Sequence, residues 1–331
     1  MFSFVGISAE CGMNEKISVI IPLYNKEHEI KRTLDSILSQ TYQNFEIIVV
    51  DDLSTDRGPA IVRSYNDPRI SFIPQEHHGV SYTRNHGIDL ATGNFVAFLD
   101  ADDEWMPNHL ETILGLIDKF PGAGMYTTAY KIRTNEGKTR WAHYKNIPNP
   151  PWEGLVPDYF KSGALGDQPV NATTVVIPKK IFHEMGGFPE GYWWGEDVDL
   201  FGKIALKYPV AFSGELGGIY HLDALNRACN KTTLVKYEDE PFVNTALSAL
   251  RRQEVPPEFI ESISEYIAIR KIFRAIQYLH AGDPGTAQII LKNCSTRWYY
   301  HEKMKWLILA SIPYPVFLFI RDIKLKIFNK F

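Results

Sequence analysis

The stretch ISVIIPLYNKEHEIKRTLDSILSQTYQNFEIIVVDD, residues 17–52, decides the fold. Its two ends, ISVIIPL and FEIIVV, are continuous apolar runs of strand length, the pattern of strands covered on both faces. Between them Ile30, Leu34, Ile37 and Leu38 recur at helical spacing. Strand, helix and strand in this order make a βαβ unit, whose crossover joins parallel neighbours. Outward from it the alternation continues: a helix candidate from Thr55 to Tyr65, then ISFIPQ, then the helical pattern VSYTRNHGIDLATG, then the strand FVAFL. The expected fold is therefore α/β, a doubly wound, mostly parallel sheet. Such sheets bind ligands beyond the carboxyl ends of their strands. Three strand ends deliver polar groups there: Tyr24 and Asn25, Asp51 and Asp52, Asp100 and Asp102.

After this the pattern changes. Residues 141–170 hold IPNPPWEG and SGALGDQP, too rich in Pro and Gly for regular structure, and read as a long functional loop. NATTVVIP reads as a strand, and the Gly-rich run ending in IYHLD as a strand pair. From Thr232 to Asn293 the chain is helical in character without strand-like alternation. The expected organisation is a leader over 1–15, an α/β domain over 16–230 and a C-terminal helical region over 231–331.

The chain has 331 residues, 45% of them hydrophobic, which is ample for a real core. A net charge of −4 argues against a surface that coats nucleic acid. Cys11, Cys229 and Cys294 are odd in number and lack metal-type spacing, so reduced thiols in a cytoplasmic setting are expected. The first residues carry no basic segment and too short an apolar run for a secretory signal. Asn-x-Thr triplets at Asn171 and Asn230 then read as incidental.

Directly after FVAFL the chain places three acids, Asp100, Asp102 and Asp103. Their mutual repulsion asks for a counter-charge, and oxygen ligands in this number suit a hard divalent ion such as Mg²⁺ or Mn²⁺. The plainer reading is a helix start, with an acid capping EWMPNHLETILGLIDKF. That reading explains Asp103 but not all three. Asp52 could accept from a base N–H or a ribose hydroxyl, as acids do at the same edge of dinucleotide-binding sheets, although acidic turn residues are common. No glycine-rich phosphate loop follows the first strand. In GEDVDL, Glu196 and Asp197 either cap the next helix or act as a base, since Trp193 and Trp194 could form an apolar wall that raises a carboxylate pKa. His221 is either structural or a third metal ligand.

SVIIPLYN, VDDLSTD, GVSYTRNHGIDLATG, FLDADD and GEDVDL, in that order over roughly residues 16–222, resemble the family 2 glycosyltransferases of GT-A fold. The resemblance implies inverting transfer from a nucleoside diphosphate sugar, usually a UDP-sugar, assisted by Mn²⁺ or Mg²⁺. It implies that Pro22, Tyr24, Asn25 and Asp52 line the nucleoside pocket, that Arg84 approaches base or diphosphate, and that Asp100 holds the ribose. Asp102 matches the metal-binding acid of the family's DXD motif, and His221 the histidine that joins metal and diphosphate. Asp197 matches the general base, with Glu196 beside it, while Tyr192, Trp193 and Trp194 fall on the acceptor side. The acceptor implied is a glycan or a lipid-linked sugar. The competing readings are a catalytically silent sugar-nucleotide or glycan-binding module, which intact Asp102 and Asp197 argue against, and nucleotidyl transfer, for which PLYNKEHE offers no phosphate loop.

WLILASIPYPVFLFI, residues 306–320, is uncharged and RDIKLKIFNKF after it is basic. The run falls short of the about 20 apolar residues that span a bilayer, and Pro313 and Pro315 would break a helix. Over 306–331 an interfacial segment at the cytosolic membrane face is expected, or else a buried tail packed on the helical region or on a second copy in a homo-oligomer.

Overall fold

The computed structural model describes residues 15–192, 194–227 and 240–328, with side chains up to residue 321. Most of the expected leader, Cys11, Trp193, Cys229, Asn230, the boundary at Lys231 and the chain from residue 329 lie outside the described residues. The chain forms two compact units, residues 1–230 and 231–331.

In the first unit β1 (Ile17–Leu23), α1 (Ile30–Leu38), β2 (Phe45–Asp51), α2 (Gly58–Arg63), β3 (Ile70–Pro74), α3 (Val80–Leu90) and β4 (Phe95–Phe98) alternate. There follow β5 (Glu104–Trp105), α4 (His109–Lys119), β6 (Met125–Arg133), β7 (Thr139–Trp141), β8 (Glu153–Leu155) and α5 (Tyr159–Leu165). The unit continues with β9 (Val176–Pro178), α6 (Lys179–Glu184), α7 (Glu196–Lys207) and β10 (Val210–His221). The sheet runs β3-β2-β1-β4-β9-β6-β10-β5, with β7 paired to β6 and β8 to β10. β3, β2, β1 and β4 are parallel, as are β6 and β10, while β9 lies antiparallel between β4 and β6. Ile20 of β1 faces Ile48 of β2 and Phe98 of β4, so the carboxyl ends of these strands finish side by side.

The pleat sorts the β1 side chains. Ile17, Val19 and Ile21 enter one core layer with Ile30, Leu34 and Ile37 of α1 and Leu110, Ile113 and Leu116 of α4. On the other face α3 lies close over β1 and β2. A Cβ at Gly87 would stand 2.7 Å from Ile20 Cγ2 and 3.2 Å from Val50 Cγ2, which explains a glycine inside this helix.

Three expectations need correction. The helix expected immediately after Asp103 begins only at His109, because Glu104 and Trp105 pair with Ile219 and Gly218 of β10. The buried Trp105 indole also donates to the Thr173 carbonyl at 2.5 Å. Asp103 therefore does not cap a helix. Residues 141–170 are not wholly irregular: β8 joins the sheet through Ala211–Ser213, and the Asp158 carboxylate caps α5 by accepting from the Lys161 N–H at 2.9 Å. The Gly-rich strand pair is one strand, β10, with register shifts against β6 between Ser213 and Leu216 and between Leu216 and Gly218. Glycine there spares a clash, since a Cβ at Gly217 would meet Thr128 Oγ1 and His109 Nδ1.

The second unit is helical: α8 (Pro241–Arg251), α9 (Ile260–His280), α10 (Pro284–Lys292), α11 (Tyr300–Ser311) and α12 (Tyr314–Phe328). Its core joins Ala268, Ile272 and Leu279 of α9 with Ala287 and Ile290 of α10. Pro313 falls between α11 and α12, and Ile312 before it is extended, as a residue preceding proline favours. The apolar tail divides its faces. Ala310 and Phe317 are buried in this core, whereas Ile308 and Phe319 are 61% and 66% exposed. Among the described residues no helix is long and apolar enough to cross a membrane.

Candidate active site

The turns after β1 and β2 hold each other in place. Asn25 adopts φ +53°, which asparagine tolerates better than most side chains. Its N–H donates to Ser54 Oγ at 2.9 Å and its Oδ1 accepts from the Thr55 N–H at 2.8 Å. Asp51 accepts from the Ser54 N–H at 3.2 Å. Asp52 is buried and accepts from the His78 and Gly79 N–H groups at 2.8 and 3.0 Å and from Gln75 Nε2 at 2.9 Å, while His77 Nδ1 stands 2.8 Å from its Oδ2. Burial pushes this carboxyl up, but the His78, Gln75 and Gly79 donors outweigh it and hold the group below the ordinary carboxylate range. Three donors from residues 75, 78 and 79 converge on this carboxylate, so Asp52 anchors the 75–79 loop. Beside that loop, half-buried Pro22 precedes an exposed Tyr24 whose ring centroid is 4.9 Å from that of His77.

The acids after β4 face separate partners. Asp100 Oδ1 accepts from Arg84 Nη2 at 2.7 Å. Asp102 Oδ2 pairs with Lys26 Nζ at 2.7 Å, both side chains being about nine-tenths buried. Asp103, fully buried, accepts from Thr173 Oγ1 at 2.5 Å and from the His221 N–H at 2.9 Å. Burial, then the charges of Asp102 and Asp100, push the Asp103 carboxyl well up. One ligand oxygen of each acid lies within 4.8 Å of the others. Arg84 engages Asp100 through Oδ1, and Lys26 engages Asp102 through Oδ2. One or two carboxylates completed by water and phosphate are a usual magnesium-type set, so these residues fit a hard divalent ion.

Arg84, on α3, is buried and joins the two sides of the site: Nη1 donates to Glu196 Oε1 at 2.9 Å while Nη2 holds Asp100. Its guanidinium carbon sits 5.2 Å from the centroid of Phe188. Burial opposes its charge, yet Asp100 and Glu196 hold it protonated more firmly than a free guanidinium. The resemblance puts Arg84 at base or diphosphate. The geometry makes it a strut between two carboxylates.

Glu196 and Asp197 open α7, where the helix dipole favours negative charge. They differ in exposure. Glu196 is buried against Arg84, and its burial, then Asp197, push its carboxyl up to about 7 although Arg84 opposes this. Asp197 is only half-buried, and its Oδ1 accepts from the Val198 N–H at 2.7 Å. Of the two carboxylates, Glu196 is the one that loses solvent. A folded-state pKa above the unfolded value means that the native state holds a proton the unfolded chain has released, so stability falls as pH rises through this window. Between pH about 4.5 and 7, wild type should lose on the order of 1–3 kcal/mol relative to its own value at the acid end. Glu196→Gln should flatten that slope in denaturant titrations, and an unchanged slope would refute the assignment.

His221 ends β10 and is buried, with Nε2 2.9 Å from Glu104 Oε1 and Nδ1 3.2 Å from Asp223 Oδ1. Read from sequence as either structural or a metal ligand, it has both ring nitrogens close to carboxylates, and the converging oxygens are those of the three aspartates. The Tyr192 carbonyl accepts from Ser81 Oγ at 3.2 Å, and Trp194 is half-buried close to α7 in sequence. Sequence reading missed Lys26, Glu104, Gln75, His77 and Thr173. For Lys26 a signal existed: it follows PLYN directly, and the acids demand a counter-charge.

Residues 18–173 match the model of glycosyl transferase family 2. The chain is 39% identical over 127 residues to the glycosyltransferase GlyA of Streptococcus pneumoniae serotype 4, covering 38% of this chain and 18% of GlyA. It is also 39% identical over 120 residues to WfgD of Escherichia coli, a UDP-Glc:α-D-GlcNAc-diphosphoundecaprenol β-1,3-glucosyltransferase, covering 36% of this chain and 47% of WfgD. The chain thus spans less than two thirds of the length of these curated relatives. Among solved structures, S. aureus TarS 1–349 in complex with UDP-GlcNAc aligns with a TM-score of 0.68 at 20% identity, over 89% of this chain and 90% of that one. Residues 18–173, which carry four ordered motifs on a mostly parallel sheet with their acids at its carboxyl edge, thus match glycosyl transferase family 2, and the fold of the chain is similar to that of TarS.

Proposed function

We propose that this chain transfers a sugar, with inversion, from a nucleoside diphosphate sugar to a hydroxyl of a glycan or lipid-linked acceptor. The observation that carries the reading is Arg84, which ties Asp100 on the donor side to Glu196 at the start of α7 and so sets half-exposed Asp197 beside the acid-lined strand ends. Asp197 takes the proton of the acceptor hydroxyl, and one base suffices for inversion. Tyr24 offers its exposed ring to the nucleobase, with Pro22 and the Asp52-anchored loop shaping the pocket around it. Asp100 and Asp102 would hold the divalent cation, which when bound stabilises charge on the departing diphosphate. Tyr192, Trp193 and Trp194 are assigned to the acceptor side by their position before α7.

A UDP-sugar is the donor of choice, supported by the UDP-glucose in the name of WfgD and the UDP-GlcNAc bound to TarS. The diphosphoundecaprenol in WfgD's name favours a lipid-linked acceptor. Exposed Ile308 and Phe319 with Lys305 and Arg321 nearby in sequence suit peripheral contact with a membrane surface.

Thermal unfolding with UDP, with and without Mn²⁺, tests the donor site. UDP at 100 times its dissociation constant should add about 2.7 kcal/mol of stability, and Mn²⁺ should lower the UDP concentration needed. No shift with UDP or any UDP-sugar would refute the donor assignment.

A further inference from the structure

Lys26 stands where the proposed function needs a cation. Its ammonium, on the turn after β1, makes two short contacts: Asp102 Oδ2 at 2.7 Å and the Leu225 carbonyl at 2.6 Å. Glu29, at the start of α1, holds the same residue from the other side by accepting from the Leu225 N–H at 3.2 Å. One turn of chain thus grips both the acid assigned to the metal and the segment that follows His221. Lysine is suited to exchange, since it carries a compact charge on a flexible stem and can leave a carboxylate without moving the backbone.

We infer that Lys26 competes with the divalent cation for Asp102, and that cation entry loosens the segment 222–227 by withdrawing Lys26. The inference rests on the metal-assisted reading above. A divalent ion on Asp102 weakens that carboxylate as a partner for Lys26 and repels the ammonium. By reciprocity, the grip of Lys26 on Asp102 weakens cation binding. Arg32 does not share this role, because it donates to the Asp102 carbonyl and leaves the carboxylate free. Without the cation, Lys26 keeps a buried carboxylate neutralised, so the pocket is stable before donor arrives.

The test is Mn²⁺ binding to the full chain without substrate, by titration calorimetry and by the resonance of free Mn²⁺. Lys26→Gln should bind Mn²⁺ roughly tenfold to a hundredfold more tightly than wild type, the range over which one neighbouring charge shifts a site. Lys26→Arg, which keeps the charge, should bind no more tightly than wild type. In Lys26→Gln the buried Asp102 loses its partner, so that protein should unfold at lower temperature without Mn²⁺ and gain more from Mn²⁺ than wild type does. Amide exchange across 222–227 should quicken in wild type when Mn²⁺ is added. Equal or weaker Mn²⁺ binding by Lys26→Gln, equal tightening by Lys26→Arg, or no Mn²⁺ binding by any of the three overturns the competition, and unchanged exchange overturns the coupling. UDP binding measured without Mn²⁺ in the same samples separates failures: if it persists the donor reading stands, and if it is absent from all three the donor reading falls first.

Discussion

Replacing Asp197 by Asn should lower sugar transfer by about 10²–10⁴-fold, the usual contribution of a positioned general base. UDP binding should stay essentially as in wild type. The reason lies in the division of labour at the start of α7. Glu196 faces inward onto Arg84, while Asp197 is half-buried and is the base in the function proposed above. Asn keeps the size of the side chain and an oxygen that can accept from the Val198 N–H, so the helix start survives. What it cannot do is take a proton. The check is turnover of a UDP-sugar beside UDP binding by calorimetry. Near-normal turnover would remove Asp197 from the base role, and lost UDP binding would make it a donor-side residue.

Arg84→Met should cost about 3–5 kcal/mol of stability, the loss typical when one partner of a buried ion pair is removed. Arg84 serves two acids at once, Asp100 at 2.7 Å and Glu196 at 2.9 Å, and methionine leaves both without their cation. Methionine still fills space against Phe188, so the loss reports charge more than volume. Because Glu196 is already pushed up to about 7, it can shed its charge by taking a proton, and the penalty should be smaller at pH 6 than at pH 8. Denaturant unfolding at the two pH values measures this. A loss below about 1 kcal/mol, within the range of ordinary surface ion pairs, would show that Arg84 is no strut.

Much of the first unit is legible in its sequence because each signal is local. β1, α1 and β2 follow from apolar periodicity within one stretch, and the polar residues just past the strands mark the ligand edge without any knowledge of packing. What escapes depends on partners far along the chain. Asp103 reads as a helix cap next to EWMPNH, but its donors are Thr173 and His221, distant in sequence. Arg84 looks like a phosphate-seeking cation until Glu196, more than a hundred residues later, is seen to hold it. The three acids correctly raise the question of a counter-charge. That Lys26 and Arg84 answer part of it is a matter of tertiary contact, invisible to spacing. Strand β10 misleads for a related reason, since glycines that read as a turn serve to ease irregular pairing.

That irregular pairing has a consequence for how the chain can change. From Ser213 to His221, β10 advances eight residues while β6, beside it, advances five from Thr128 to Arg133. The irregular part absorbs this surplus, but from Gly218 to His221 the pairing is regular and side chains alternate, so losing one residue from that run would turn His221 from Glu104 and Asp223 toward the opposite side of the sheet. Swaps of residue type here adjust packing, whereas a change of length by one reverses which way the strand's last side chain points. The spacing between Gly218 and His221 thus acts as a parity rule.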